Sequence, residues 1–242
     1  GSGGSGGSGS GGAAGGVAAG GTTGGHGGTS GFKMSFMGDR VITMGAYGPS
    51  NNHLDTIAFF NLSTVGNATD YGGELGTKGT HYSTVGNGSR AVAVGGIWGS
   101  THADTMEYTS IMTGQDAADF GEMILIPQTS GGGLMDGVRG VTPGSEPSID
   151  DGKHIEYINI NSTSNGIDFG DLSAPRDMPQ SAGDGHIGVV IAGYSATPPA
   201  AYQDTMDYIT IGNTGNALDY GETHEVRGRI SGHCSDGNRG MY

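Results

Sequence analysis

An Asp-aromatic-Gly triplet occurs four times in this chain, as Asp70-Tyr71-Gly72, Asp119-Phe120-Gly121, Asp168-Phe169-Gly170 and Asp219-Tyr220-Gly221. The aspartates stand 49, 49 and 51 residues apart, and 15 residues before each lies Asp55, Asp104, Lys153 or Asp204. A fixed offset inside units of drifting length marks a rigid piece joined by tolerant loops. Self-similarity at this period constrains the architecture more than any other feature of the sequence.

Each piece opens on a short β pattern: Ile57-Ala58-Phe59-Phe60, Met106-Glu107-Tyr108, Ile155 to Ile160, and Met206 to Ile211. Apolar and polar residues alternate with period two, which predicts strands with one buried face. The turn clusters Gly66-Asn67, Asn165-Gly166 and Gly215-Asn216 follow, with Gly114-Gln115-Asp116 in the second copy. Upstream lies another strand ending in glycine: Val41 to Gly45, Ala91 to Gly96 and Val189 to Gly193, with Val138 to Gly144 as a degenerate third copy. A less regular strand fits between units, for example from Leu172-Ser173-Ala174-Pro175-Arg176 on to Asp184-Gly185. Four short strands per unit of about 50 residues is the pattern of a propeller blade. No stretch reads as a long amphipathic helix.

The first 31 residues differ sharply from the rest: 17 are Gly and none is Lys, Arg, Asp or Glu. On composition this leader reads as a flexible Gly/Ser linker. The alternative is an assembly segment or stem, held by other copies of the chain in close-packed extended strands, because glycine loses the most entropy on ordering. We take residues 1–31 as that assembly segment and 32–242 as the folded region, with repeats at about 38–87, 88–136, 137–185 and 186–237. Gly does not recur at every third position, which excludes collagen. The match of Gly1 to Gly6 to a dinucleotide fingerprint has neither the strand before it nor the helix after it that such a site needs. The chain begins without Met, which suggests processing or a fragment, and no secretory signal opens it.

The formal net charge of −14 lies wholly after residue 31. Such a surface repels phosphate backbones and anionic lipid, so neither nucleic acid nor membrane is expected as a partner. Cys234 is the one cysteine, which excludes an intrachain disulfide and a cysteine metal site.

The run from Leu172 to Tyr194, followed by Asp204-Thr205-Met206-Asp207-Tyr208, resembles a kelch motif. It has a Pro-Arg segment, an apolar strand ending in a glycine pair, and a strand ending in Tyr. Gly95-Gly96 supplies the pair in full, whereas Ala192-Gly193 and Gly45-Ala46 supply half, and Asp-aromatic-Gly stands where a kelch repeat places Trp. The variant is similar to repeats in tail-fibre and related virion proteins of bacteriophages, over about residues 38–241. The resemblance implies an all-β, kelch-like β-propeller of four blades. It further implies a non-enzymatic structural or receptor-binding component of a phage virion. The expected partners are other copies through residues 1–31, other virion or filament proteins, and a surface glycan. A subunit of a bacterial extracellular filament at the cell surface and a glycan-active enzyme on a propeller scaffold are the alternatives. Phe32 to Met37 and Asp236 to Tyr242 are expected to meet and close a four-bladed ring, an open stack being the other possibility.

Chemistry-bearing residues are few. The recurring Asp55, Asp70, Asp104, Asp119, Asp168, Asp204 and Asp219 fit turn aspartates that bond their own backbone two residues on. Glu146 and Asp150-Asp151 lie in a long loop of the third unit. His53, His102 and His154 precede the central strands and are candidates to ring one face, though no metal-ligand spacing joins them. No GxSxG motif falls in the repeats, so a serine nucleophile is unsupported, and no cofactor is expected. Asn61, Asn67, Asn87 and Asn161 head formal glycosylation sequons. Trp98, Tyr47, Tyr194 and Tyr202 are the candidate ligand-binding residues, as aromatic faces that stack on sugars.

Overall fold

In a computed structural model of the chain, residues 36–37, 40–47, 53–79, 82–98, 101–125, 132–145, 152–195, 201–227, 234–235 and 240–241 are described. They form strands and turns without an α-helix. The first sheet holds β1 (Phe36–Met37), β2 (Arg40–Tyr47), β3 (His53–Asn61) and β4 (Thr69–Glu74). The second begins with β5 (Ser83–Gly86) and β6 (Arg90–Val94). After a ribbon of β7 (Ile97–Trp98) and β8 (Thr101–His102) it finishes with β9 (Thr105–Ser110) and β10 (Ala118–Glu122). The third is β11 (Leu134–Met135), β12 (Arg139–Pro143), β13 (His154–Asn159) and β14 (Ile167–Asp171). The fourth is β15 (Gln180–Gly183), β16 (Ile187–Ser195), β17 (Ala201–Thr210) and β18 (Leu218–Arg227). A last ribbon joins β19 (Cys234–Ser235) to β20 (Gly240–Met241).

Every four-stranded sheet is an antiparallel meander, and its first hairpin explains why the repeat folds so regularly. Asn87, Asp136 and Asp184 donate their amides to the carbonyls of Arg90, Arg139 and Ile187 at 3.0, 3.2 and 3.1 Å, closing two-residue turns. The first turn residue is Gly88, Gly137 or Gly185, at φ of 85, 94 and 92°, which an L side chain rarely adopts. The turn Asx side chain then accepts the amides two and three residues on, at 2.6 to 3.1 Å. The third unit, read as degenerate, has β12 fully paired on both sides: Arg139↔Asn159 through Pro143↔Ile155 on one, and Met135↔Gly140 on the other. Pro143 sits at the end of its strand, where a missing N–H does least harm.

The glycine near the end of the second strand marks a β-bulge in the first and fourth units. Register shifts between Met44 and Ala46 and between Ile191 and Gly193. Gly45 (φ 60°) and the Ala192-Gly193 pair (52 and 120°) carry positive φ there. Ala192 thus adopts a conformation that costs about 1–2 kcal/mol outside glycine, and it does so fully buried.

Three apolar seams join the sheets. Ile42, Met44, Ile57, Tyr71 and Leu75 of the first unit pack on Ala91, Ala93 and Ile111 of the second. Val85, Val92, Val94, Met106, Phe120 and Met123 pack on Met135, Ile158 and Ile160. Leu134, Val141, Ile155, Phe169 and Leu172 pack on Val190, Ile209, Ile211 and Ala217. The expectation of one buried face per strand is therefore corrected. In β6 every residue from Ala91 to Val94 is buried, because each inner sheet is sandwiched between two others. Alternation marks which neighbour a residue faces: the more apolar face meets the following sheet, and the mixed face the preceding one. Successive first strands also lie side by side, β5 by β11, β11 by β15, and β15 by the β19–β20 ribbon.

The described residues form no closed ring. Tyr71, Phe120 and Phe169 are 5, 2 and 2% exposed, whereas Tyr220 in the same place is 58% exposed. At the other end of the stack Leu62 is 54% exposed, where Ile111, Ile160 and Ile211 are fully buried. The first and fourth sheets do not cover each other. The leader (residues 1–31), Phe32 to Ser35 and most of Asp236 to Tyr242 lie outside the described residues.

Candidate functional site

Polar links cross every seam, and each seam is built from the same parts. Glu74, Glu122 and Asp171, at the ends of fourth strands, donate their amides to Asp116, Asn165 and Asn216 Oδ1 of the next sheet at 3.2, 3.2 and 3.1 Å. Their carbonyls accept the amides of Ala117, Gly166 and Ala217, each at 2.8 Å. The turn clusters that the sequence marks as φ-permissive thus serve as two-way clamps between sheets.

Arginines add a second link. Arg40, Arg90 and Arg139 cap second strands, and their guanidinium carbons stand 4.1, 4.2 and 4.3 Å from the ring centroids of Phe59, Tyr108 and Tyr157. From there Nη1 of each donates to the carbonyl of Ile111, Ile160 or Ile211 in the next sheet, at 3.4, 3.0 and 3.0 Å. The stacked ring holds the planar fork in place, which a lysine does not reproduce. In the fourth unit the position is Ile187.

A third part went unread in the sequence. Glu107, Glu156 and Asp207 share one register, opposite Ala93, Thr142 and Val190. Each reaches back to the segment leaving the preceding sheet. Glu156 accepts the amides of Ile124 and Leu125 at 2.8 and 2.7 Å, and Glu107 accepts the amide of Thr77 at 3.4 Å. Asp207 accepts the amide and hydroxyl of Ser173 at 2.9 and 2.6 Å, and Arg176 Nη2 at 2.7 Å. The signal was present as an acid in mid-strand at one place in three units. It reads as solvent-facing unless both faces of the strand are known to be covered.

Burial lifts the Glu107 carboxyl above its ordinary 4.5, against the Thr77 and Gly76 bonds that lower it. The folded chain therefore binds this proton more tightly than the unfolded chain, so the group favours folding most at pH below 4.5. That contribution drains away as pH rises through the folded value. Glu107→Gln keeps an acceptor for Thr77 and removes the ionisation. Its thermal midpoint, scanned from acid to neutral pH, is expected to lose part of the parent's decline and to equal or exceed the parent at neutral pH. A steeper decline in the variant would refute this. Nearby, burial first, then Glu107 and Asp55, push the Tyr82 hydroxyl up to about 12, and it donates to the Thr77 carbonyl at 2.8 Å.

Three of the recurring aspartates bond their own backbone two residues on, as expected, but within fourth strands and not in turns. Asp70, Asp119 and Asp219 accept the amides of Gly72, Gly121 and Gly221 at 3.0, 3.1 and 2.9 Å. The residue 15 before acts through its backbone: Asp55, Asp104 and Lys153 carbonyls each accept an amide at 2.8 Å, from Leu75, Met123 and Leu172. A backbone role explains why Lys153 stands among aspartates. Two sequon asparagines also serve the seams, as Asn87 Nδ2 donates to Asn161 Oδ1 at 2.8 Å.

The sequence-predicted aromatics belong to one end of the sheets, where second strands turn into third strands. Tyr194 and Tyr202 are cross-strand partners whose ring centroids lie 5.4 Å apart, edge to face. Tyr202 is 51% exposed and Tyr194 half-buried. The backbones of Tyr47 (opposite His53) and Trp98 (opposite Thr101) occupy corresponding places in the first and second units. Their side chains lie outside the described residues, as do Glu146 and Asp150-Asp151. At this end His53 Nδ1 is 2.9 Å from the Ile97 carbonyl, linking two units, and His154 Nε2 is 3.4 Å from Glu156. The structure therefore joins one of the four expected aromatics to another and leaves the histidines on separate units. Among the described residues, no three His, Cys, Asp or Glu are grouped to hold a metal.

Chemically, the seams can hold sheets together, and the loop end can present an aromatic pair on a rigid hairpin. No protein-family model matches this sequence, and no curated protein matches it.

Proposed function

We propose that the chain is a non-enzymatic structural and receptor-binding component of a phage virion, a tail or capsid fibre. In this reading the four sheets are kelch-like blades of a propeller-type stack that presents its loops to a host-surface glycan. One observation carries it: the seams repeat the same parts from sheet to sheet, while irregularity is confined to the loop end. First hairpins turn in two residues, yet the connections from second to third strands occupy residues 48–52, 95–104, 144–153 and 196–200. A scaffold that repeats in its core and varies at one rim suits display, since loops carried on rigid sheets tolerate change. The Tyr194–Tyr202 pair is the described part of that rim best suited to stacking on a sugar. Weak single-site binding of this kind gains strength when many copies face one surface.

The test is retention on a glycan array and on intact host-type cells, with polysaccharide turnover assayed in parallel. Binding without turnover is expected. Tyr202→Ala is expected to weaken it roughly tenfold, the scale of one lost aromatic contact of about 1.4 kcal/mol, with the fold kept and the melting temperature lowered only by the lost edge contact with Tyr194. Release of oligosaccharide product would overturn the proposal, as would retention that ignores Tyr202.

A further inference from the structure

The two ends of the stack expose different halves of one interface. On the fourth sheet, Tyr220 stands where Tyr71, Phe120 and Phe169 are buried, and it meets Tyr208 edge to face at 6.2 Å, as Phe120 meets Tyr108 at 5.9 Å. Below it, Val189, Ile191 and Met206 repeat the places of Val92, Val94 and Met106, through pairs Val189↔Tyr208 and Ile191↔Met206. These residues form a cluster of their own with Ala182 and Ala192, and no preceding or following four-stranded sheet contributes to it.

The β19–β20 ribbon shows what belongs there. It pairs Cys234↔Met241 and Ser235↔Gly240. The first hairpin of the third sheet pairs Leu134↔Val141 and Met135↔Gly140, with identical separations. The ribbon also lies beside β15 as β15 lies beside β11. It has the pairing and the place of a first hairpin, and beyond it the fourth sheet's face stays open at Tyr220, 58% exposed. In all four complete sheets the second strand pairs with a third, as β2–β3, β6–β9, β12–β13 and β16–β17. The strand in that role here, β20, has no such partner among the described residues.

We infer that the outer part of the fourth sheet's face, where Tyr220 is exposed while Ile191 is buried, is together with the edge of β20 a docking site for an antiparallel β-hairpin carrying the third- and fourth-strand pattern of this repeat. The three existing seams define its chemistry. Its first strand bears a branched apolar residue where Ile111, Ile160 and Ile211 are fully buried, to pack beneath Tyr220. Its turn bears an Asx side chain to accept the Glu222 amide, as Asp116, Asn165 and Asn216 accept those of Glu74, Glu122 and Asp171. The residue after the Asx donates back to the Glu222 carbonyl. The arginine link is absent from this seam, because Ile187 replaces it, so the joint depends on apolar burial and the clamp.

The probe is a fluorescent peptide of residues 152–172, which holds Glu156, Ile160, Asn165 and Phe169, titrated into the full chain by anisotropy. Saturable binding is expected. It should weaken at least about tenfold in Tyr220→Asp, the loss typical of a central aromatic anchor, and severalfold when the peptide carries Asn165→Ala. Leu62→Asp, at the far end of the stack, should leave it unchanged. Tyr220 is exposed, so its substitution spares the existing seams, and Tyr220→Ser repeats the test without adding charge. Absence of binding at millimolar peptide overturns the inference. Binding lost in Leu62→Asp but kept in Tyr220→Asp overturns it equally. Self-association of the chain that Leu62→Asp dissolves would also do so, since the first sheet of a second copy would then be the occupant.

Discussion

Arg176→Ala is expected to destabilise the chain by about 3–5 kcal/mol, the range for stranding one member of a buried ion pair. Arg176 and Asp207 are both fully buried and lie 2.7 Å apart. Burial pulls the guanidinium below its usual value, and Asp207 opposes that pull. The arginine belongs to the segment leaving the third sheet, and the aspartate to the central strand of the fourth, so the pair ties one unit's exit to the next unit's core. Arg176 also donates to the Val190 and Thr205 carbonyls at 3.3 and 3.2 Å, which lose a partner with it. The pairing argument makes a stronger claim than a large loss. The double variant Arg176→Met/Asp207→Leu strands no charge, so it should be less destabilised than Arg176→Ala, with Ser173 still deprived of its acceptor. Urea midpoints of the double variant, of Arg176→Ala and of the singles Arg176→Met and Asp207→Leu decide it. A double variant at least as unstable as the sum of the singles would show that the pair matters for packing and not for charge.

The same residue shows how far the sequence could be read. The Pro175-Arg176 segment was visible as part of the kelch-like pattern, and its place between units followed from the repeat. Its partner did not follow. Asp207 looked like the polar member of an alternating strand, as did Glu107 and Glu156, and period-two patterning assigns such residues to water. They face another sheet, and the number of covered faces is a tertiary property that a local pattern does not contain. Strand identity and the backbone bonds of the triplet aspartates were legible because each is decided within a few residues: Asp70, Asp119 and Asp219 bond amides two positions on. The clamps and the arginine links join residues 42 to 72 apart. They become readable once units are aligned, when an arginine and an aromatic recur together at Arg40 and Phe59, Arg90 and Tyr108, and Arg139 and Tyr157. The candidate ligand site was legible in kind only. Tyr194 and Tyr202 meet because a bulge shifts β16 against β17 past Ile191, bringing the two into cross-strand register.

The glycine of the triplet separates backbone strain from interface packing. Gly121, Gly170 and Gly221 have φ of 139, 138 and 129°, so alanine at any of them carries nearly the same conformational cost, about 1–3 kcal/mol. Their surroundings differ. A Cβ on Gly170 would sit 2.6 Å from the Gly215 carbonyl carbon and oxygen, and one on Gly121 would sit 2.5 Å from the Ser164 oxygen. Both obstacles are backbone in the turn of the following sheet, beside the Asn216 and Asn165 clamps, so the seam itself must open to make room. A Cβ on Gly221 meets nothing within 4 Å. Gly170→Ala and Gly121→Ala are therefore expected to cost about 3 kcal/mol or more, combining strain with overpacking. Gly221→Ala should cost only the strain. Denaturation of the three single variants measures the difference, which is the contribution of close approach between sheets. Equal losses at all three sites would mean that strain alone fixes the triplet. A larger loss at Gly221 would mean that the fourth sheet's outer face is the most crowded of the three, against the 58% exposure of its neighbour Tyr220. The expected order, with Gly221 the most tolerant, follows from the stack: the next sheet's turn closes on Gly121 and Gly170, and in the first unit on Gly73 instead of Gly72, whereas among the described residues nothing closes on Gly221.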